Sequence, residues 1–103
     1  RVKNRDTCTP IGPWLVDAKD VADPMALALR TTVNGQVTQQ GNTRDMIFDA
    51  PFLIEYFSRF MTLSPGDLIL TGTPDGVVDC QPGDEVVTEI EGIGALVNTI
   101  AAA

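Results

Sequence analysis

The dipeptide Asn34-Gly35 limits the folds open to this chain more than any other pair of residues in it. Both residues accept the positive φ of a type I′ turn, whose twist suits two antiparallel strands. On the N-terminal side Leu27, Leu29, Thr31 and Val33 recur at period two, so one face of that arm is apolar. The pattern predicts a β-hairpin. Its return arm, 36–40, is polar apart from Val37 and is expected to face solvent, a partner subunit or a site.

Two further turns share one chemistry. Ser64-Pro65-Gly66-Asp67 and Gln81-Pro82-Gly83-Asp84 each pair Pro with Gly and precede a β-run, Leu68 to Leu70 and Glu85 to Glu91 respectively. Gly92-Ile93-Gly94 then permits a hairpin into Ala95 to Ile100. Near the start, Pro10, Gly12 and Pro13 enforce an extended path into Trp14-Leu15-Val16, which reads as an edge or corner strand with Trp14 in the core. A helix is predicted from Asp49, a suitable N-cap, with Pro51 in the first turn. Its stripe of Phe52, Leu53, Tyr56, Phe57, Phe60 and Met61 is expected to bury against a sheet, with Glu55, Ser58 and Arg59 opposite. The fold class is therefore mainly β with one helix (α+β), with about six strands.

With 103 residues the chain is at most one domain, and its opening Arg-Val-Lys-Asn-Arg-Asp, without an initiator methionine, is expected to be the interior of a longer polypeptide. Seven basic against 14 acidic residues give a net charge of -7, which argues against nucleic acid or an anionic membrane as partner. There is no histidine, so triads and general bases built on imidazole within this chain are excluded. Cys8 and Cys80 fit no metal-binding spacing, and free thiols in the cytoplasm are expected.

The candidate ligand loop is Thr71-Gly72-Thr73-Pro74-Asp75, which follows the apolar run 68–70. Gly72 allows close backbone approach, Pro74 stiffens the exit, and the two threonine hydroxyls can donate or accept. Three cations among the first six residues, Lys3 included, offer either a solvated basic loop or a counter-charge for an anion. A solvated strand of alternating charge accounts for Glu89 and Glu91 better than metal ligation does.

The motifs V-K-N-R-D-T-C-T-P-I-G-P-W, V-N-G-Q-V-T-Q-Q-G-N-T-R-D-M-I-F, M-T-L-S-P-G-D-L-I-L-T-G-T-P-D-G-V and P-G-D-E-V-V-T-E-I-E-G-I-G-A-L-V-N-T-I, in that order, resemble the fumarylacetoacetate hydrolase family over residues 3–100. The resemblance implies a mixed β-sandwich or β-roll of the C-terminal type, incomplete in this chain, with residues 1–103 forming the C-terminal portion of one catalytic domain. It implies a Mg²⁺ or Mn²⁺ enzyme that decarboxylates or isomerises 2-oxo or 2-hydroxydienoic di- and tricarboxylates in aromatic catabolism. A C–C hydrolase of acylpyruvates or fumarylacetoacetate is the alternative, and a non-enzymatic module using 36–40 as contact surface a second. Lys3 matches the family lysine that neutralises substrate carboxylate or enolate, a catalytic and substrate-binding role, and Thr73 matches the position that hydrogen-bonds the substrate carboxylate. The family's Glu-x-Glu and Asp metal ligands are expected upstream of this segment, so the chain by itself is expected to be inactive and to supply no metal ligand. The expected partners are a small-molecule carboxylate and further copies or repeats of the domain.

Overall fold

Asn34 and Gly35 take φ values of 50° and 80°, so the chain reverses there as a type I′ turn. The turn joins β1 (Ala28–Val33) to β2 (Gln36–Asn42) in the computed structural model, which describes residues 5–102. Two later strands, β3 (Glu85–Ile90) and β4 (Gly94–Thr99), form a second antiparallel hairpin. The hairpins join through β1 and β3, giving one sheet in the order β2-β1-β3-β4.

Asn34 does more than turn the chain. Its side-chain amide donates to Asp84 Oδ1 at 2.9 Å and its amide oxygen accepts from the Glu85 backbone N–H at 2.9 Å. The first hairpin is thereby stitched to the turn that launches β3. That turn and its twin are built alike: Asp84 N–H donates to Gln81 O and Asp67 N–H to Ser64 O, both at 3.0 Å. In each, the aspartate carboxylate accepts from the first residue's N–H at 2.8 Å. Gly66 and Gly83 have φ of 97° and 96°, as the third residue of a type II turn requires.

The bonds from Gln81 N–H and then from the Asn34 amide hold the Asp84 carboxyl below the ordinary carboxylate range. A depressed folded-state pKa stabilises the fold above the unfolded pKa and is lost as pH falls through the folded value. Denaturant unfolding of wild type and Asp84→Asn is therefore expected to diverge at pH 7 and converge towards pH 3. Parallel pH profiles would show that the charge contributes nothing.

Helix α1 (Ala50–Ser58) starts as the sequence indicates: Asp49 Oδ1 accepts from Phe52 N–H at 2.8 Å and Pro51 lies in the first turn. Its apolar stripe behaves differently from expectation. Phe48, Phe52, Tyr56 and Phe60 form a ladder of ring contacts with centroids 4.8, 6.2 and 5.4 Å apart, and all four remain exposed. The helix hardly touches the strands of the sheet, so the stripe is not buried on them.

Two strand expectations also need correction. Residues 14–16 and 68–70 form no strand and join no ladder. The sheet ends at β2 and β4, and neither run pairs with those edges. A strand is defined by its partner, and these runs have none among the described residues. Trp14 is not core either: it is 65% exposed, and its indole atoms Cδ1 and Nε1 lie so near Gly94 that a Cβ there would come within 2.8 Å and 2.9 Å of them.

No described residue counts as buried, and the accessible surface is 8336 Å². A compact monomer of this mass exposes roughly 5,600 Å². The apolar faces of α1 and of 68–70 therefore need a cover that the described residues do not provide.

Candidate functional site

The loop after 68–70 docks on the outer edge of the sheet. β1 and β2 slip register between Thr31 and Thr32, pairing Thr31 with Gln39 and Thr32 with Val37, so Thr38 is the extra residue of a bulge. At this bulge the loop arrives. A Cβ on Gly76 would run into the Thr38 carbonyl oxygen, so only glycine lets the two backbones meet this closely. Three residues further along β2, Gly41 faces Pro74, whose Cγ would lie 2.9 Å from a Cβ there.

Gln39 closes the joint. Its side-chain nitrogen donates to Thr73 Oγ1 at 2.9 Å and to the Pro74 carbonyl at 2.5 Å. The polar arm of the first hairpin thus faces the site, one of the three possibilities open from sequence.

Between this loop and the segment after β2 lies a cleft of about 590 Å³. Thr71, Gly72 and Thr73 form one wall, while Asn42, Thr43 and Ile47 belong to the other. The second wall is pinned at its root, because Leu27 N–H donates to Thr43 Oγ1 and Thr43 N–H to Leu27 O, each at 2.9 Å. Asn42 Oδ1 caps the short helical turn Thr43–Asp45 by accepting from Arg44 N–H at 3.0 Å. Leu53 of α1 reaches the same cleft, so the helix contributes one apolar side chain to the site.

Of the two predicted site residues, Thr73 lines this cleft with its side chain exposed. Lys3 lies outside the described residues. Asp45 and Asp75 also line the cleft, so an anion would need a nearby cation to enter it. Glu89 and Glu91 are engaged elsewhere: Glu89 Oε2 pairs with Arg30 at 2.7 Å across the β1–β3 register, and Glu91 Oε2 accepts from Ala28 N–H at 3.2 Å. An exposed pair of that kind contributes at most about 1 kcal/mol. Among the described residues no cluster of three carboxylates, thiols or imidazoles could hold a metal ion, so the described residues do not fit a metal centre.

Sequence reasoning missed Gln39, Gly41 and Gly76 as parts of the site. Gly76 had a weak signal in the Asp75-Gly76 turn; Gln39 and Gly41 had none, since their importance comes from a loop more than thirty residues away.

Residues 1–101 match the fumarylacetoacetate (FAA) hydrolase C-terminal family. The chain belongs to the fumarylacetoacetate hydrolase family. It is 63% identical over 100 residues to the 4-hydroxyphenylacetate degradation bifunctional isomerase/decarboxylase of Salmonella dublin, covering 97% of this chain and 23% of that relative. The 2-hydroxyhepta-2,4-diene-1,7-dioate isomerase of Mycobacterium marinum superposes with a TM-score of 0.88 at 50% identity, over 94% of this chain and 37% of the other. Maleylpyruvate hydrolase from Sphingobium sp. SYK-6, solved with manganese(II) and pyruvate, superposes at 0.87 with 40% identity, over 89% and 35%. This family segment thus spans about a quarter of the length of the first relative. No helix among its described residues is long and apolar enough to cross a membrane.

Proposed function

We propose that the protein carrying this chain is a divalent-metal-dependent enzyme that decarboxylates or isomerises 2-oxo or 2-hydroxydienoic di- and tricarboxylates in 4-hydroxyphenylacetate breakdown. The chain is the C-terminal portion of its catalytic domain and forms one wall of the substrate pocket. The observation that carries this reading is Thr73, exposed on a cleft of about 590 Å³ in a chain 63% identical to a bifunctional isomerase/decarboxylase.

In this reading Thr73 holds a substrate carboxylate by a charge-assisted hydrogen bond. Lys3 supplies positive charge to the same anion as negative charge moves onto its 2-oxo end. Mg²⁺ or Mn²⁺, held by residues outside those described, acts as a Lewis acid when bound. The apolar residues Leu53 and Ile47 on the opposite side exclude water from the carbon chain of the substrate. The enzyme is cytoplasmic and works as a homo-oligomer or a pseudo-dimer of repeated domains, which would cover the apolar surface that the described residues leave open.

Similarity to maleylpyruvate hydrolase favours a second reading, C–C hydrolysis of an acylpyruvate on the same body. Product analysis separates the two. With 5-oxopent-3-ene-1,2,5-tricarboxylate, CO₂ release without a cleaved C–C hydrolysis product is expected. Pyruvate released from an acylpyruvate, with neither CO₂ release nor double-bond migration from the dienoates, would establish the hydrolase instead.

A further inference from the structure

We propose that Gln39 sets the direction in which the Thr73 hydroxyl donates, making it a positioning residue for carboxylate binding. The inference rests on the reading of Thr73 as a carboxylate ligand, and it concerns a residue that does not itself line the cleft.

The orientation of the Gln39 amide follows from its neighbours. The Pro74 carbonyl can only accept, so the group facing it at 2.5 Å must be the amide nitrogen rather than the amide oxygen. The same nitrogen lies 2.9 Å from Thr73 Oγ1, and its second hydrogen is available for that bond. The threonine oxygen therefore accepts from Gln39. A hydroxyl has one hydrogen, and with a lone pair occupied by Gln39 that hydrogen is left to point elsewhere. It has no acceptor among the described residues, and the side chain stands on the cleft.

Thr73 is thus presented to a ligand as a donor. That polarity suits a carboxylate oxygen and is wasted on a ligand group that itself donates. Gln39 is suited to hold it there. It is half-buried, opposite Thr31 in the β1–β2 ladder, next to the bulge at Thr38 that bends the strand under the loop. A side chain fixed on a strand defines the direction of a loop hydroxyl better than the loop alone could.

The test uses the protein carrying this chain at its natural length, loaded with Mn²⁺, and oxalate as the carboxylate probe in titration calorimetry. Thr73→Val is expected to weaken oxalate about tenfold, the loss of one hydrogen bond to a charged group, and Gln39→Met about fivefold. In the double variant the two losses should not multiply: Gln39→Met should add less than about twofold on top of Thr73→Val. Gln39→Glu keeps the shape and reverses the polarity, drawing the Thr73 hydrogen inward, and should weaken oxalate at least as much as Thr73→Val does.

Full multiplication in the double variant would show that Gln39 acts independently of Thr73 and overturns the inference. Wild-type affinity in Gln39→Glu overturns it as well, and this variant carries the test if Gln39→Met does not fold. A weakened Thr73→Val beside unchanged Gln39 variants removes the inference and leaves the carboxylate role of Thr73 standing. An unchanged Thr73→Val removes both.

Discussion

Gly76→Ala is expected to be among the most damaging single substitutions in the described residues, destabilising the fold by roughly 3–5 kcal/mol. Two penalties add. The residue has φ of 106°, where an L side chain is strained, and its Cβ would collide with the Thr38 carbonyl, a backbone group that cannot swing aside. If the loop lifts off β2 to relieve the clash, Thr73 moves with it and loses Gln39. Oxalate affinity should therefore fall together with the thermal midpoint. Gly72→Ala is the comparison: φ is 94° there, but a Cβ meets nothing within 4 Å. It should cost only the left-handed penalty, about 1–2 kcal/mol. Equal losses in the two variants would show that the contact with Thr38 relaxes freely and that the docking of the loop is not what glycine is needed for.

The second large effect is expected at Lys3. With Asp45 and Asp75 on the cleft wall, a carboxylate substrate meets local negative charge, and a cation must offset it. We propose that Lys3 is that cation beside the metal. Lys3→Met should lower kcat at least about tenfold if the charge stabilises the transition state more than the bound substrate. Lys3→Arg should recover part of it, since the charge returns without the compact ammonium. A change confined to KM would assign Lys3 to uniform binding, and unchanged kinetics would return it to the solvated basic loop that its sequence neighbours also suit.

What the sequence could disclose divides along the distance over which each feature is decided. Asn34-Gly35, the Asp49 cap and the two Pro-Gly-Asp turns depend on residues within four positions of one another, and each has the structure its chemistry dictates. The runs 14–16 and 68–70 have strand composition, yet a strand also needs a neighbour, which composition cannot supply. The α1 stripe has helical period without disclosing what it packs against, and the sheet is not its cover. The Thr71–Asp75 loop was marked by its motif, and Thr73 on it lines the cleft. Gln39 was not so marked, because a glutamine on a polar strand has no local sign of the loop it holds; the joint exists only once residues 39 and 73 meet.

The stitch at Asn34 also orders events in time. Each hairpin closes locally, but the β1–β3 ladder and the Asn34–Asp84 bond beside it join residues at least 50 positions apart. Closing a loop of that length costs about 3.5 kcal/mol beyond the constant term. The helix and the Thr71–Gly76 loop both lie within that span. During folding the two hairpins can form early, while joining them is the slow, high-contact-order step. The pocket wall is enclosed by that step, so competence to bind a ligand arrives after the local turns rather than with them.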